Sequence, residues 1–253
     1  VKAARRAGTV INRASLNLER LQVDRKQHND FVTEVDKAAE AAIIETLSEA
    51  YPTHGFLAEE TGERNADAEN VWIIDPLDGT TNFLHRLPVY AVSVGLIFKK
   101  QPVLGMIYEP NRDELFYACQ GDGAFLNGKP IRVSSTDSLA KSLLATGFPY
   151  YDFSYQDRYL ALLKSLMQKS HGLRRMGAAA IDLAYTACGR FEGFFEANLK
   201  PWDVAAGKII IEEAGGLVTN FSGGEDVIFT GEIIGAGPIF EEFLSTLREH
   251  WES

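Results

Sequence analysis

Cysteine is scarce in this chain: Cys119 and Cys188 are the only two among 253 residues. That rules against a disulfide-built scaffold and makes a reducing cytoplasm the expected compartment. Histidine is also rare, with 5 copies, and His85 has no second His or Cys at ligand spacing, which argues against a zinc site. Long apolar runs are missing, so no segment suits a bilayer span and no membrane association is expected. Basic residues are in deficit. Lys and Arg number 25 against 35 Asp and Glu, a formal charge of −10, and that balance does not point to direct nucleic-acid binding. There is no internal repeat, low-complexity tract, dinucleotide fingerprint or Ser-His-Asp arrangement. No signal peptide is visible, and the chain opens at Val1 rather than Met, which leaves the native N-terminus open.

What is present is a composition that folds. Hydrophobic residues make up 45% and charged residues 24%, enough for a sizeable core in one large domain or two closely packed halves. An acidic protein that handles phosphate esters has to neutralise charge locally, and bound cations do so.

Residues 72–83, Trp-Ile-Ile-Asp-Pro-Leu-Asp-Gly-Thr-Thr-Asn-Phe, organise the rest. Val71 to Ile74 reads as a buried strand. Asp75 is expected where the strand ends, because Pro76 removes a backbone donor and fixes φ. Asp78 follows three residues on, Gly79 permits close backbone approach, and Thr80 and Thr81 open a short helix. Two carboxylates therefore converge beside a helix N-terminus. Hard cations take oxygen ligands, and phosphate takes N–H groups at the positive end of a helix dipole. The pattern points to metal-assisted phosphate chemistry. Taken alone, two Asp around a Pro favour plain turn and cap roles.

Residues 1–21 are expected to form an amphipathic helix, followed by a mobile polar loop over 24–30 in which Lys26 has the reach to touch a ligand. Thr33 and Asp36 precede a helix over 37–50 and read equally well as caps or catalytic groups. A strand over 55–58 runs into Glu59 and Glu60. Residues 89–133 form an antiparallel meander with Asn127-Gly128 as a tight turn. From about residue 135 strands and helices alternate, an α/β pattern. Arg174 and Arg175 have the charge to bind an anion, with a solvated pair or a subunit contact the favoured reading. Asp203 lies in the first turn of a helix opened by Pro201. It fits a dipole partner, yet its place beside Trp202 leaves room for a third ligand.

Three separated segments then align. Glu59-Glu60-Thr61, Asp75-Pro-Leu-Asp78-Gly-Thr-Thr-Asn82 and Pro201-Trp-Asp203-Val-Ala-Ala-Gly207, the last followed by Glu213-Ala-Gly-Gly216, together resemble the inositol monophosphatase family. This is a family of lithium-sensitive, magnesium-dependent phosphatases, and the likeness is to its bacterial members. Residues 30–36, 121–128 and 177–196 extend it over essentially the whole chain.

The resemblance implies an α+β / α/β fold, a five-layer αβαβα sandwich acting as one catalytic unit over residues 1–253. Its N-terminal α+β half would cover about 1–135 and its C-terminal α/β half about 136–253. By position, Glu59, Asp75 and the Leu77 carbonyl would hold one Mg²⁺. Asp75, Asp78 and Asp203 would hold a second, and a third, weaker ion would sit near Glu59. Gly79 and Thr80 N–H groups would grip phosphate. Asp36, Glu59 and Thr80 form the implied catalytic set, with Thr80 and Asp36 orienting the attacking water. Asp78, Glu196 and the run Gly177-Ala178-Ala179 would face the substrate. Animal members carry Thr where this chain has Ala178, which leaves the sugar preference open.

The implied reaction is hydrolysis of inositol monophosphate to inositol and phosphate by metal-activated water, in a cytoplasmic homodimer. A fructose-1,6-bisphosphatase or nucleotide 3′-phosphatase is the sister reading. Its second phosphate favours a basic subsite, and only Lys200 is evident beside the loop from Glu196 to Asp203. A regulatory protein that uses the fold in association with the transcription machinery is the reading of a different class.

Overall fold

The computed structural model of the chain describes residues 1–20, 23–27, 30–150 and 152–251, with side chains described for these residues outside 20–32. The N-terminal part runs α1 (Lys2–Ser15), β1 (Val23–Gln27), β2 (Asp30–Thr33), α2 (Glu34–Ala50), β3 (Gly55–Ala58), β4 (Gly62–Arg64), β5 (Asn70–Asp78) and α3 (Thr80–Leu84). A meander follows: β6 (Ala91–Phe98), β7 (Gln101–Glu109), β8 (Glu114–Cys119), β9 (Gly123–Leu126) and β10 (Lys129–Pro130). The remainder is β11 (Leu143–Thr146), α4 (Gln156–Lys169), β12 (Gly172–Arg174), α5 (Ala179–Ala187), β13 (Gly193–Ala197), α6 (Pro201–Glu213), β14 (Leu217–Thr219), β15 (Glu232–Ala236) and α7 (Phe240–Trp251).

Strands β3 to β10 form an eight-stranded sheet in the order β10-β9-β8-β7-β6-β5-β3-β4, and β11 to β15 a five-stranded sheet in the order β12-β11-β13-β15-β14. Helices α1 and α2 cover the outer face of the larger sheet, α5 and α6 lie between the sheets, and α4 and α7 cover the far face of the smaller one. This is the five-layer αβαβα sandwich.

Strand periodicity explains the layering. In β5, Ile73 faces the middle helices while Trp72 and Ile74 face α1 and α2. In β13, Phe194 joins the core between the sheets and Phe195 the core beneath α4 and α7. Each sheet is covered on both faces, so these strands read as continuous apolar runs. Helix α5 is buried at every position, which is why its sequence has no polar face.

Four local expectations need correction. Helix α1 stops at Ser15 rather than 21, and the Ser15 hydroxyl donates to the Asn12 carbonyl (2.9 Å), competing with continued helix bonding. The polar stretch over 24–30 contains paired strands: β1 and β2 match Val23 with Thr33, Asp24 with Val32 and Arg25 with Phe31. Composition does not reveal this, because cross-strand amide pairing is independent of side-chain polarity. The side chain of Lys26 lies outside the described residues. Helix α2 starts at Glu34, not Lys37, since Thr33 caps it. Finally, β5 continues through Pro76 to Asp78. Asp75 pairs with Ser93 and Asp78 with Ala91, three steps against two, so Pro76 and Leu77 sit in a bulge where proline's missing N–H breaks no ladder bond.

Helices α5 and α6 pack on both sheets, so the two halves are expected to unfold together. Ile210 in α6 is fully buried in that shared layer. Ile210→Ala is expected to cost about 2–5 kcal/mol and to lower one melting transition seen alike by far-UV dichroism and tryptophan fluorescence. Leu160→Ala, on the exposed side of α4, is expected to stay within about 0.5 kcal/mol. Two separated transitions in either protein would show that the halves are independent.

Candidate active site

The bulge in β5 sets the centre of a cleft of about 240 Å³ between the layers. Asp75 is buried, and its Oδ1 accepts from the Leu77 amide (2.9 Å). The extra residue re-aims Asp78, whose Oδ2 accepts from the Ala180 amide (2.6 Å). Asp78 thereby caps α5 from a distance, because Ala178 at that helix's N-cap has no side-chain acceptor. Asp203 is the third residue of α6 and accepts from the Lys200 amide through Oδ2 (2.7 Å), the cap arrangement expected of a first-turn acid.

Each of these bonds is an ordinary local cap. Together they bring one oxygen each of Asp75, Asp78 and Asp203 within 4.8 Å of one another. Two unit charges at that distance repel by roughly 3–4 kcal/mol at an effective dielectric of 20. The carboxyls respond by holding protons. Burial raises Asp75 well above the usual carboxylate range, reinforced by the charges of Glu59, Asp78 and Asp203. Burial, with Glu59 adding to it, pushes Asp78 up to about 7, and burial with Asp78 does the same for Asp203. All the donors are oxygen, and a hard divalent cation fits such a set, whereas zinc or copper would select nitrogen or sulfur.

Glu59 follows β3 on the cleft wall, positioned by its amide on the Ile74 carbonyl (3.1 Å). It stands outside the tight trio but acts on Asp75 and Asp78 through its charge. A brace that the sequence reading missed steadies this turn: buried Glu40 accepts from the Glu60 amide (2.8 Å) and the Thr61 amide (2.9 Å). Its signal was a charged residue on the apolar stripe of α2, four residues after Asp36.

Asp36 serves both readings. Its Oδ2 accepts from the amide (2.8 Å) and hydroxyl (2.5 Å) of Thr33, closing a capping box. Its Oδ1 lies 2.9 Å from the Thr80 hydroxyl, which also has the Leu77 carbonyl at 3.1 Å. One hydroxyl proton can serve only one of these acceptors at a time. Burial raises the Asp36 pKa, opposed by the bonds from Thr33 and Thr80.

Gly79 supplies the turn from β5 into α3 with φ of 93°, and a Cβ there would stand 2.9 Å from the Val89 carbonyl oxygen. Thr80 then begins α3, whose first-turn amides have no acceptor within the helix. Asn82, also missed, ties this turn to the other half: its Nδ2 donates to the carbonyls of Val89 (2.8 Å) and Met176 (2.9 Å). Gly177, Ala178 and Ala179 accordingly line the cleft beside Gly79 and Thr80.

Glu196, at the end of β13, closes the far side. It is buried, and burial with the Asp203 charge pushes it up to about 8. Its carboxylate lies so close to Gly147 that any side chain there would collide with it. Asp182 on α5 lies behind the cleft, fully buried, its Oδ1 without a partner among the described residues and its pKa raised well above the usual range by burial. Gly147 and Tyr150 join the lining without having been singled out for it from the sequence, and Arg175 of the basic pair joins them.

A five-layer αβαβα sandwich with an acidic cleft where its layers meet is of the sugar-phosphatase type. The chain belongs to the inositol monophosphatase family, whose model matches residues 1–252. It is 45% identical over 251 residues to the Nus factor SuhB of Salmonella typhimurium, covering 98% of this chain and 94% of that protein. Among solved structures, the extragenic suppressor protein suhB of Bartonella henselae matches with a TM-score of 0.95 at 43% identity, covering 98% of this chain and 96% of that one. The inositol monophosphatase of Anabaena matches with a TM-score of 0.85 at 42% identity, over 98% and 93%.

Stability in chelator is expected to fall as pH rises from 5 to 8. Asp78, Asp203 and Glu196 bind protons more tightly folded than unfolded. Their contribution is therefore complete below their ordinary values of 3.8 to 4.5 and is lost as pH climbs through about 7 to 8. Asp113, Asp152 and Glu114, held below their ordinary values, are already ionised in both states there and do not offset the trend. Urea titrations at pH 5, 6, 7 and 8 check it, and Asp203→Asn should flatten the slope. A stability that rises over this range would contradict the crowding.

Proposed function

We propose that this chain is a magnesium-dependent phosphomonoesterase acting on inositol monophosphate. The observation that carries the reading is the gathering of Asp75, Asp78 and Asp203 from a strand bulge and a separate helix into one repulsive cluster. A scaffold without turnover has no use for that cost. The cation sites of this proposal use Asp75, Asp78 and Asp203, with Glu59 and the Leu77 carbonyl beside them, for two or three ions. Bound Mg²⁺ supplies Lewis-acid polarisation of water and of a phosphoryl oxygen, and lithium sensitivity belongs to the same sites.

The chain's own groups supply the remainder. With the Leu77 carbonyl holding a cation, the Thr80 proton would be left to Asp36 Oδ1, 2.9 Å away. Thr80 Oγ1 then presents its lone pairs to a water and orients it, while Asp36, made more basic by burial, accepts the proton through Thr80. The amides of Gly79 and Thr80 are assigned to the phosphate, next to the water's line of approach. Glu196, Asp78 and the run from Gly177 to Ala179 are assigned to the hydroxyls of the leaving alcohol. No side-chain nucleophile takes part.

The homodimer is carried in the same proposal, as is a cytoplasmic location, consistent with the two free cysteines. No helix among the described residues is long and apolar enough to cross a membrane. Relatives named as Nus factors support a second role in association with the transcription machinery. Pull-down of transcription complexes with an Asp203→Asn protein tests whether that role is separable from turnover.

Asp203→Asn is expected to leave the chelated protein as stable as the parent or slightly more so. It should lose most of the magnesium-dependent rise, which in the parent is about 2.7 kcal/mol at a hundredfold excess over Kd, together with phosphate release from inositol 1-phosphate. A variant that keeps its magnesium response and still turns over would remove Asp203 from the site. Asp36→Asn should slow turnover by roughly 10²–10⁴ while magnesium-dependent stabilisation persists. Normal specific activity per folded molecule would reduce Asp36 to a helix cap.

A further inference from the structure

Arg175 is the one cation among the described residues that line the cleft. Its neighbour Arg174, exposed like Arg175, donates to the Leu173 carbonyl (2.9 Å) and is not part of that lining. The Arg175 guanidinium instead stands over the ring of Phe148, 5.5 Å from its centroid. Phe148, itself 46% exposed, is set edge-on against Tyr159, with centroids 6.2 Å apart. Phe148 follows Gly147, against which the Glu196 carboxylate rests, and Tyr150 lines the cleft just beyond. The positive charge is felt at Asp78, Asp182 and Glu196, the side of the cleft assigned to the leaving alcohol.

A guanidinium over an aromatic ring gains a cation–π contact and keeps its N–H donors, which can bind phosphate or carboxylate oxygens two at a time. A neutral polyol offers those donors only hydroxyls. We propose that Arg175, held on Phe148, is a specificity-determining residue that binds a second anionic group on the alcohol portion of the substrate. Phosphate monoesters that carry a further phosphate or carboxylate are then accepted alongside inositol monophosphate. This inference rests on the phosphatase reading for its turnover arm but not for its binding arm.

The experiment compares the parent with Arg175→Gln and Arg175→Lys in Mg²⁺, using inositol 1-phosphate, fructose 1,6-bisphosphate and 2-phosphoglycerate. The ratio of kcat/KM for an ester with a second anion to that for inositol 1-phosphate is expected to fall about tenfold in Arg175→Gln. The loss should appear in KM, with part of it recovered in Arg175→Lys. The bisphosphate and the carboxylate ester report separately which anion is preferred. Melting temperatures in saturating Mg²⁺ with and without each ester supply a readout that needs no turnover. There, fructose 1,6-bisphosphate should stabilise the parent more than Arg175→Gln, with no such difference for inositol 1-phosphate. An unchanged kcat/KM ratio, or equal stabilisation of parent and variant by the bisphosphate, overturns the assignment. If no ester is hydrolysed by any of the proteins, the phosphatase reading fails and the melts still decide the role of Arg175.

Discussion

Mutual repulsion among Asp75, Asp78 and Asp203 is the constraint around which the molecule is assembled. Each carboxylate is drawn to its place by a favourable bond to a backbone amide, from Leu77, Ala180 and Lys200 in turn. None could relax outward without leaving a buried strand bulge or a helix end unsatisfied. The energy that holds them together comes from the apolar layers on either side, where Ile73, Ile74, Ile181 and Ile210 are fully buried. A stable scaffold thus carries a locally unfavourable charge arrangement, and protons or cations relieve it.

The groups around the trio divide the labour by position. Glu40 and Asn82 make no claim on substrate. They fix the Glu59 turn and the Gly177 segment through backbone bonds, so that the lining is rigid before any ligand arrives. In the proposed mechanism Asp36 combines a structural and a chemical task in one carboxylate, with one oxygen closing the α2 cap and the other facing Thr80. The cap and the proposed catalytic role of Asp36 are compatible, since the cap turns the second oxygen toward Thr80.

The parts legible in the sequence were those written in contiguous residues. Alternation and apolar runs gave β5, the meander from β6 to β10 and the buried helices α5 and α6. Asp75, Pro76 and Asp78 within one turn, and Asp203 beside Pro201, announced the acidic site. What escaped was relational. Asp78 meets Ala180 across 102 positions and Asn82 meets Met176 across 94, and no local pattern encodes either meeting. Glu196 needs Gly147 to be a glycine, yet nothing near residue 147 says so. Arg175 looked like half of a solvated basic pair until Phe148 was placed under it. The strand pairing of β1 with β2 was hidden by polar side chains, and the bulge by the expectation that proline ends a strand.

The claim that crowded, proton-holding carboxylates form the cation site is tested most directly by counting protons. Calorimetric titration of Mg²⁺ into the chelator-stripped protein at pH 6.5, repeated in buffers of different ionisation enthalpy, measures the protons released on binding. Burial and crowding hold Asp78 and Asp203, both pushed up to about 7, partly protonated at that pH. The account predicts net proton release at pH 6.5 that is smaller by about pH 9, where Asp78 and Asp203 are already ionised. Magnesium binding with no proton release at either pH would contradict it, because the site would then lie elsewhere or the trio would not be crowded.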